Sequence, residues 1–128
     1  MKRTISTDDA PEAVGAYSQA TTDGSTIYTA GQIPLTPDGE LHADADIATQ
    51  TELALDNIMA ILAAENLAAE NILKTTVYLA DIDNFDEMNT TYETYFAADP
   101  PARSAIEAGA LPKGVGVEIE AVATYPEA

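Results

Sequence analysis

A stretch with helical spacing of apolar residues, followed by one with strand spacing, constrains the fold of this chain more than any other feature. Between residues 46 and 66, apolar side chains recur at three- and four-residue spacing, and Asp46 stands where a helix cap is needed. Residues 75–80 instead alternate Val77 and Leu79 with polar neighbours, which predicts a strand. This combination favours a layer of helices packed on a sheet. The apolar positions of the predicted helix are Ile47, Ala54, Leu55, Ile58, Ile61 and Leu62.

Turn signals and prolines predict further elements. Residues 25–30 are rich in strand formers and follow the turn dipeptide Asp23-Gly24, so residues 15–20 are predicted as their hairpin partner. A second helix is predicted from about Asp83 to the prolines at 100 and 101, which cannot continue a helix. We interpret its apolar face as core rather than as a ligand-stacking surface; that face comprises Phe85, Met88, Tyr92, Tyr95 and Phe96.

The end of the chain completes an α+β pattern. Residues 103–108 and 115–125 are predicted to form a hairpin through residues 111–114. The order β-β-β-α-β-α-β-β predicts two helices on one face of a sheet, in a single domain spanning residues 1–128. Glu118 and Glu120 point away from the helices, on a face that mixes charged and apolar groups. We therefore expect a second copy of the chain to cover that face, which makes the protein a homo-oligomer.

Acidic residues dominate the charge of the chain, with 22 Asp and Glu against 5 Lys and Arg and a net charge of -17. This charge argues against nucleic acid and anionic membranes as partners, and its scatter is typical of halophilic proteins, which are adapted to high salt. The sequence shows neither an apolar run of membrane-spanning length nor a secretory signal, so a cytoplasmic location is expected. Because there is no cysteine and the one histidine, His42, lies in a polar stretch, thiolate chemistry is excluded and no metal site is predicted.

Arg103 is the candidate functional residue that the composition brings out. It is one of two arginines and follows Pro100 and Pro101, which stiffen its approach. A guanidinium can grip a carboxylate or phosphate with two parallel hydrogen bonds, which favours anion binding; a surface salt bridge is the open alternative. With Glu118, on the predicted hairpin or across an interface, it would form either a minimal hydrolytic site or a structural ion pair. Spacing alone favours the ion pair.

Six blocks of sequence lie in order along nearly the whole chain. They are PEAVGAYSQA (11–20), AGQIP (30–34), KTTVYL (74–79), FDEMN (85–89), PARS (101–104), and LPKG (111–114) with EIEA (118–121). Each block is weak by itself, but in this order they resemble the RidA (YjgF/YER057c/UK114) family. The resemblance implies a chorismate-mutase-like α+β fold with a mixed sheet, assembled as a homotrimer with clefts between subunits.

The resemblance also implies an activity. Proteins of this family are hydrolytic imine/enamine deaminases, which convert imino acids such as 2-aminoacrylate and 2-iminobutanoate to 2-keto acids and ammonia without a cofactor or metal. The alternatives are non-catalytic binding of a carboxylate metabolite and a chaperone-like regulatory trimer. By the same resemblance, Arg103 grips the substrate carboxylate and Glu118 positions or deprotonates water. The implied substrate-binding residues are Tyr17, Gly31, Asn89, Arg103 and Ala105, with Gly31 and Ala105 acting through their backbone N–H groups.

Three positions depart from the pattern of the family. Ala16 stands where proline is usual, Ala30 where serine is frequent, and Ala105 where many members have cysteine. A backbone donor survives at Ala105, so this departure is compatible with catalysis by Arg103 and Glu118. The hydroxyl missing at Ala30 leaves the substrate preference open.

Overall fold

The helical periodicity of residues 46–66 produces helix α1, Ile47–Ala63, in the computed structural model, which describes residues 1–127. The Asp46 carboxylate accepts a hydrogen bond from Thr49 N at 2.8 Å, so the predicted N-cap is confirmed. The buried face of α1 packs on the sheet and contains the apolar positions Ala54, Leu55, Ile58, Ile61 and Leu62.

The sheet has six strands in the spatial order β1-β2-β3-β6-β4-β5. All neighbouring strands are antiparallel except β4 and β5, which are parallel, so the sheet is mixed and the α+β class is confirmed. Helix α2 spans Phe85–Glu93 and connects β4 to β5. The strands are β1 (Arg3–Ile5), β2 (Ala20–Thr22), β3 (Thr26–Thr29), β4 (Ile72–Leu79), β5 (Ala102–Glu107) and β6 (Val117–Thr124).

The predicted hairpin between residues 103–108 and 115–125 is wrong, because β4 lies between β5 and β6. Strand β5 follows β4 through α2, and a strand that returns through a helical crossover pairs in parallel with the strand it left. Strand β6 then pairs antiparallel with the other edge of β4. Sequence adjacency predicted a hairpin, whereas the crossover decided the pairing.

Two other boundaries also differ from the prediction. Of residues 15–20 only Ala20 belongs to a strand; Gly15 has a φ of 110°, outside the extended region. Helix α2 ends at Glu93, well before the prolines, because the next amides bond three residues back instead of four: Tyr95 N donates to Tyr92 O at 3.0 Å and Phe96 N to Glu93 O at 3.3 Å.

The two faces of the sheet have the predicted contrast. Along β6, every second residue from Val117 to Ala123 is buried under the helices, while Glu118 and Glu120 lie on the opposite, free face. That free face also carries Tyr28 and Ile106, which are 55% and 47% exposed. Within residues 1–127 no helix is both long and apolar enough to cross a membrane.

Candidate functional site

Arg103 lies on β5 in register with Thr75, and its side chain therefore points to the helix-covered face. There it meets one face of α2. Arg103 Nη1 donates a hydrogen bond to Asn89 Oδ1 at 2.7 Å. The guanidinium carbon lies 5.2 Å from the ring centroid of Phe85 and 4.7 Å from that of Tyr92, within cation–π range of both. We call these residues, Phe85, Asn89, Tyr92 and Arg103, the arginine cradle.

The guanidinium of Arg103 has no carboxylate partner among residues 1–127. The ion pairs found there are Arg3 with Glu65 at 2.6 Å and His42 with Glu40 at 2.8 Å. The structural ion pair of Arg103 with Glu118 is therefore absent from this part of the chain, although 22 acids are available. Since only one hydrogen bond of the guanidinium has a protein acceptor, its other N–H groups can bind an anion. They border a cavity of about 360 Å³ beside Pro100 and Pro101.

Glu118 lies in a different cavity, of about 500 Å³, which we call the Glu118 cavity; Tyr17 and Gly31 line it as well. A β-bulge brings Gly31 there. Strand β3 pairs Tyr28 with Val122, but the next bridge joins Gln32 to Ile119, so β3 and its continuation contain one extra residue. A Cβ built on Gly31 would overlap Glu118 Oε2 and lie 2.9 Å from Glu118 Cδ. Any other residue at position 31 would displace this carboxylate from its observed position.

The surroundings of Glu118 make it a stronger base than a free glutamate. Burial raises the pKa of Glu118, and the neighbouring Glu120 carboxylate raises it further. The Tyr78 hydroxyl donates a hydrogen bond to Glu120 Oε1 at 3.0 Å, which holds that second charge in place. Burial also raises the pKa of Tyr78, with Glu120 adding to the effect, so the phenol remains a donor. Glu118 can therefore serve as a proton acceptor, and the charge of Glu120 raises its affinity for the proton.

The structure thus divides the predicted site residues into two groups. Tyr17, Gly31 and Glu118 line the Glu118 cavity, whereas Asn89 and Arg103 form part of the arginine cradle. Arg103 and Glu118 lie on opposite faces of the sheet and on strands separated by β4, so the expected proximity on one hairpin is wrong. Any site that uses both residues must combine two copies of the chain.

Ala105 belongs to the group of Arg103. It lies two residues further along β5, which is an edge strand. Ala108 N donates to Leu79 O at 2.8 Å, so by the alternation of a strand the backbone groups of Ala105 face the open edge. Its N–H is therefore available to a ligand held by Arg103.

Sequence reasoning missed the rings that hold Arg103. Phe85 and Tyr92 belong to the apolar face that the sequence predicts as core, and they lie on one helical face with Asn89, which is spaced at i+4 from Phe85. Tyr92 has both roles: it is 4% exposed, its hydroxyl lies 2.7 Å from that of Thr75, and its ring contacts the guanidinium. His42 lies on the loop before α1, beside Glu40, and lines neither cavity. No cluster of three or more potential metal ligands occurs within residues 1–127.

Comparison with known proteins gives consistent matches over the whole fold. Residues 7–125 match the family described as endoribonuclease L-PSP. A RutC family protein of Pyrococcus horikoshii is 45% identical, over 96% of this chain and 98% of that protein. A protein of Escherichia coli named 2-iminobutanoate/2-iminopropanoate deaminase is 46% identical over 96% of this chain and 98% of its own length.

Solved structures agree with the sequence matches. The YjgF gene product of Escherichia coli superposes with a TM-score of 0.92 at 44% identity, covering 97% of this chain and 99% of that chain. Escherichia coli TdcF with bound serine gives a TM-score of 0.91 at 39% identity, covering 97% and 99%.

Proposed function

Because this chain belongs to the endoribonuclease L-PSP family, which includes the RidA proteins, we propose that it hydrolyses 2-imino and enamine acids to 2-keto acids and ammonia. The observation that carries the proposal is Arg103, a guanidinium held by two rings and one amide with no carboxylate within residues 1–127 to neutralise it. The shared name of relatives at about 45% identity supports the same chemistry. The substrates proposed are small carboxylates such as 2-aminoacrylate and 2-iminobutanoate.

The proposed site lies between copies of the chain, arranged as a homotrimer. The arginine cradle of one copy and the Glu118 cavity of the next would face each other across a cleft. The free face of the sheet supports such an assembly, because it exposes Tyr28 and Ile106 beside a row of partly buried polar groups. A closed ring would give one cleft for each pair of neighbouring subunits.

In the proposed reaction, Arg103 and the Ala105 N–H hold the substrate carboxylate, while Tyr17 closes the other side. Glu118 accepts a proton from water as the oxygen attacks C2 of the imine. Glu118 returns that proton to the nitrogen, which gives a neutral carbinolamine. It then transfers the hydroxyl proton of the carbinolamine to the same nitrogen as the C–N bond breaks and the C=O bond forms, so ammonia leaves and a 2-keto acid remains. An enamine reacts after proton transfer to carbon converts it to the imine.

A second candidate is binding of a small carboxylate without turnover. It is favoured by the relative TdcF, whose structure contains bound serine. Arg103 serves both functions, whereas Glu118 is required for hydrolysis alone. An RNA substrate, which the family description names by its word endoribonuclease, is disfavoured by the net charge of -17.

A coupled assay tests the proposal. A dehydratase generates 2-aminoacrylate or 2-iminobutanoate, and formation of the keto acid is followed with the wild type, Arg103→Ala and Glu118→Ala. The wild type should accelerate hydrolysis over buffer, also in high salt, and both variants should lose activity. Arg3→Ala is the matched control, because it removes the arginine that is already paired with Glu65. If the wild type binds a keto acid but does not accelerate hydrolysis of the imine, the second candidate function, binding without turnover, replaces the proposed one.

Mixing the two inactive variants tests the shared cleft. If equal amounts of Arg103→Ala and Glu118→Ala subunits are refolded together, each mixed trimer contains one cleft with both residues intact. Random assembly should restore about a quarter of wild-type activity. A site contained within one chain would give no recovery.

A further inference from the structure

Residues 12–18 form a loop that makes no hydrogen bond to any part of the chain within residues 1–127. This loop carries Tyr17 and forms one wall of the Glu118 cavity. Gly15, at φ 110°, gives it a conformation that other residues rarely adopt. A segment with so few bonds holds one position only if its ends are fixed.

Gln19 fixes those ends through its side chain, which is 4% exposed. Its Oε1 accepts a hydrogen bond from Thr7 N at 2.7 Å, and its Nε2 donates to Pro11 O at 2.8 Å. The same Nε2 lies 3.1 Å from Thr7 O and 3.3 Å from Ala10 O. One amide therefore joins the residue that precedes the loop to the residue that follows it.

The backbone of Gln19 holds the opposite wall of the cavity. Its carbonyl accepts a hydrogen bond from Ala30 N at 2.8 Å, next to Gly31 and the bulge that faces Glu118. A substitution of the side chain leaves this backbone bond in place. Side chain and backbone thus control different parts of the cavity: the Tyr17 loop and the Gly31 bulge, respectively.

We infer that Gln19 is a positioning residue that holds the Tyr17 loop against the Glu118 cavity and so sets substrate affinity. The inference rests on the proposed function. Because the proposed function places Tyr17 of this loop against the substrate, while Glu118 is held on β6, loss of the side-chain bonds raises KM and leaves kcat nearly unchanged. A residue with only a structural role would lower thermal stability without changing KM for the folded enzyme.

Gln19→Glu is the variant that tests the side-chain hydrogen bonds of Gln19 most directly. It keeps the shape and the acceptor for Thr7 N, but it places a carboxylate oxygen against the carbonyls of Thr7, Ala10 and Pro11. Burial among these oxygens raises the pKa of the introduced carboxyl, and its protonated form can donate one hydrogen bond again. The KM of the variant should exceed that of the wild type by about tenfold at pH 8 and approach it as the pH falls.

Gln50→Glu is the matched control. Gln50 is 3% exposed, and its Nε2 donates to Ala43 O and Ala45 O while its Oε1 accepts from Gly116 N. The same substitution therefore damages the donor bonds of a buried amide to residues 43–45, which do not line the Glu118 cavity, and keeps the acceptor for Gly116 N. It should reduce stability and leave KM unchanged.

Hydrogen exchange of the backbone amides separates this inference from the proposed function, since it needs no turnover. In Gln19→Glu at pH 8, the amide of Thr7, which donates to the Gln19 side chain, should exchange faster than in the wild type, with β4 and β6 unchanged. If that variant does not fold, Gln19→Asn, which withdraws the amide by one methylene, should raise KM in the same direction. A wild-type KM in the folded variant, or an equal rise in Gln50→Glu, would overturn the inference; an inactive wild type would overturn the proposed function alone.

Discussion

Arg103 is oriented by a neutral partner: its Nη1 donates to Asn89 Oδ1 at 2.7 Å, and no carboxylate within residues 1–127 pairs with it. An amide oxygen directs a guanidinium without cancelling its charge, so the cation keeps its attraction for an anionic ligand. A carboxylate at position 89 would neutralise Arg103, and it would also lose the hydrogen bond that Asn89 Nδ2 donates to Glu93 Oε1 at 3.0 Å. Under the proposed function, an amide at this position preserves the positive charge on which binding of the substrate carboxylate depends, in a chain with 22 acids.

Asn89→Asp should weaken substrate binding. The new carboxylate would pair with Arg103 and compete with the carboxylate of the substrate, raising KM by about tenfold or more with a smaller effect on kcat. Steady-state kinetics on 2-iminobutanoate measures the changes in KM and kcat separately. Asn66→Asp adds the same charge at an exposed position and is the control. An unchanged KM in Asn89→Asp would show that Arg103 does not hold the substrate.

Gly31→Ala should impair catalysis rather than folding. The added methyl group overlaps Glu118 Oε2, and the flexible carboxylate is the group that can move. Displacement of a proton acceptor by about 1 Å is expected to lower kcat by about tenfold to a hundredfold. Gly109→Ala, where nothing lies within 4 Å of the new methyl group, should behave as the wild type. Full kcat in Gly31→Ala would argue against Glu118 as the base.

Glu120→Gln should move the acid limb of the pH–rate profile to lower pH. Glu118 must be ionised to accept a proton, and the charge of Glu120 contributes to its raised pKa. Removing that charge lowers the pKa of Glu118, so activity persists further into acid. Because burial is the larger cause of the raised pKa of Glu118, the acid limb should still lie above the pH expected for a free glutamate. Glu70→Gln, at an exposed position, should leave the profile unchanged.

Glu118→Gln should stabilise the protein at neutral pH while abolishing activity. A carboxyl whose folded-state pKa is raised penalises the folded state once it is ionised, so stability falls as the pH rises from the unfolded to the folded pKa. The neutral amide removes this penalty, and Tm at pH 7 should rise by a few degrees. The gain should shrink as the pH falls through the folded-state pKa of Glu118.

Glu65→Gln should instead destabilise the protein at neutral pH. Hydrogen bonds from Arg3 and Tyr125 lower the pKa of Glu65, so its contribution to stability is present above the unfolded pKa and is lost as the pH falls through the folded one. At pH 7 this variant should melt below the wild type, with the difference vanishing in acid. Thermal melts of Glu118→Gln and Glu65→Gln across a range of pH check the predicted rise and fall in Tm together.

Much of the fold could be predicted from local patterns. Helix α1, strands β3 to β6, the cap at Asp46 and the outward direction of Glu118 are confirmed, whereas β1 has no counterpart in the prediction. Each depends on residues near one another in sequence, whose spacing controls which side is buried. The candidate residues came from charge and from family resemblance, and Arg103 stood out because cations are scarce in this chain.

The parts that could not be predicted depend on contacts between distant residues. A parallel return through α2 put β4 between β5 and β6, and this pairing turned Arg103 and Glu118 to opposite faces. The bulge that seats Gly31 against Glu118 likewise arises between strands far apart in the chain. Sequence by itself therefore determined which elements form and which groups could carry chemistry, because periodicity and charge are local properties. Only the tertiary structure decided that those groups lie on opposite faces of the sheet, because the crossover and the register of the sheet control which face each side chain occupies.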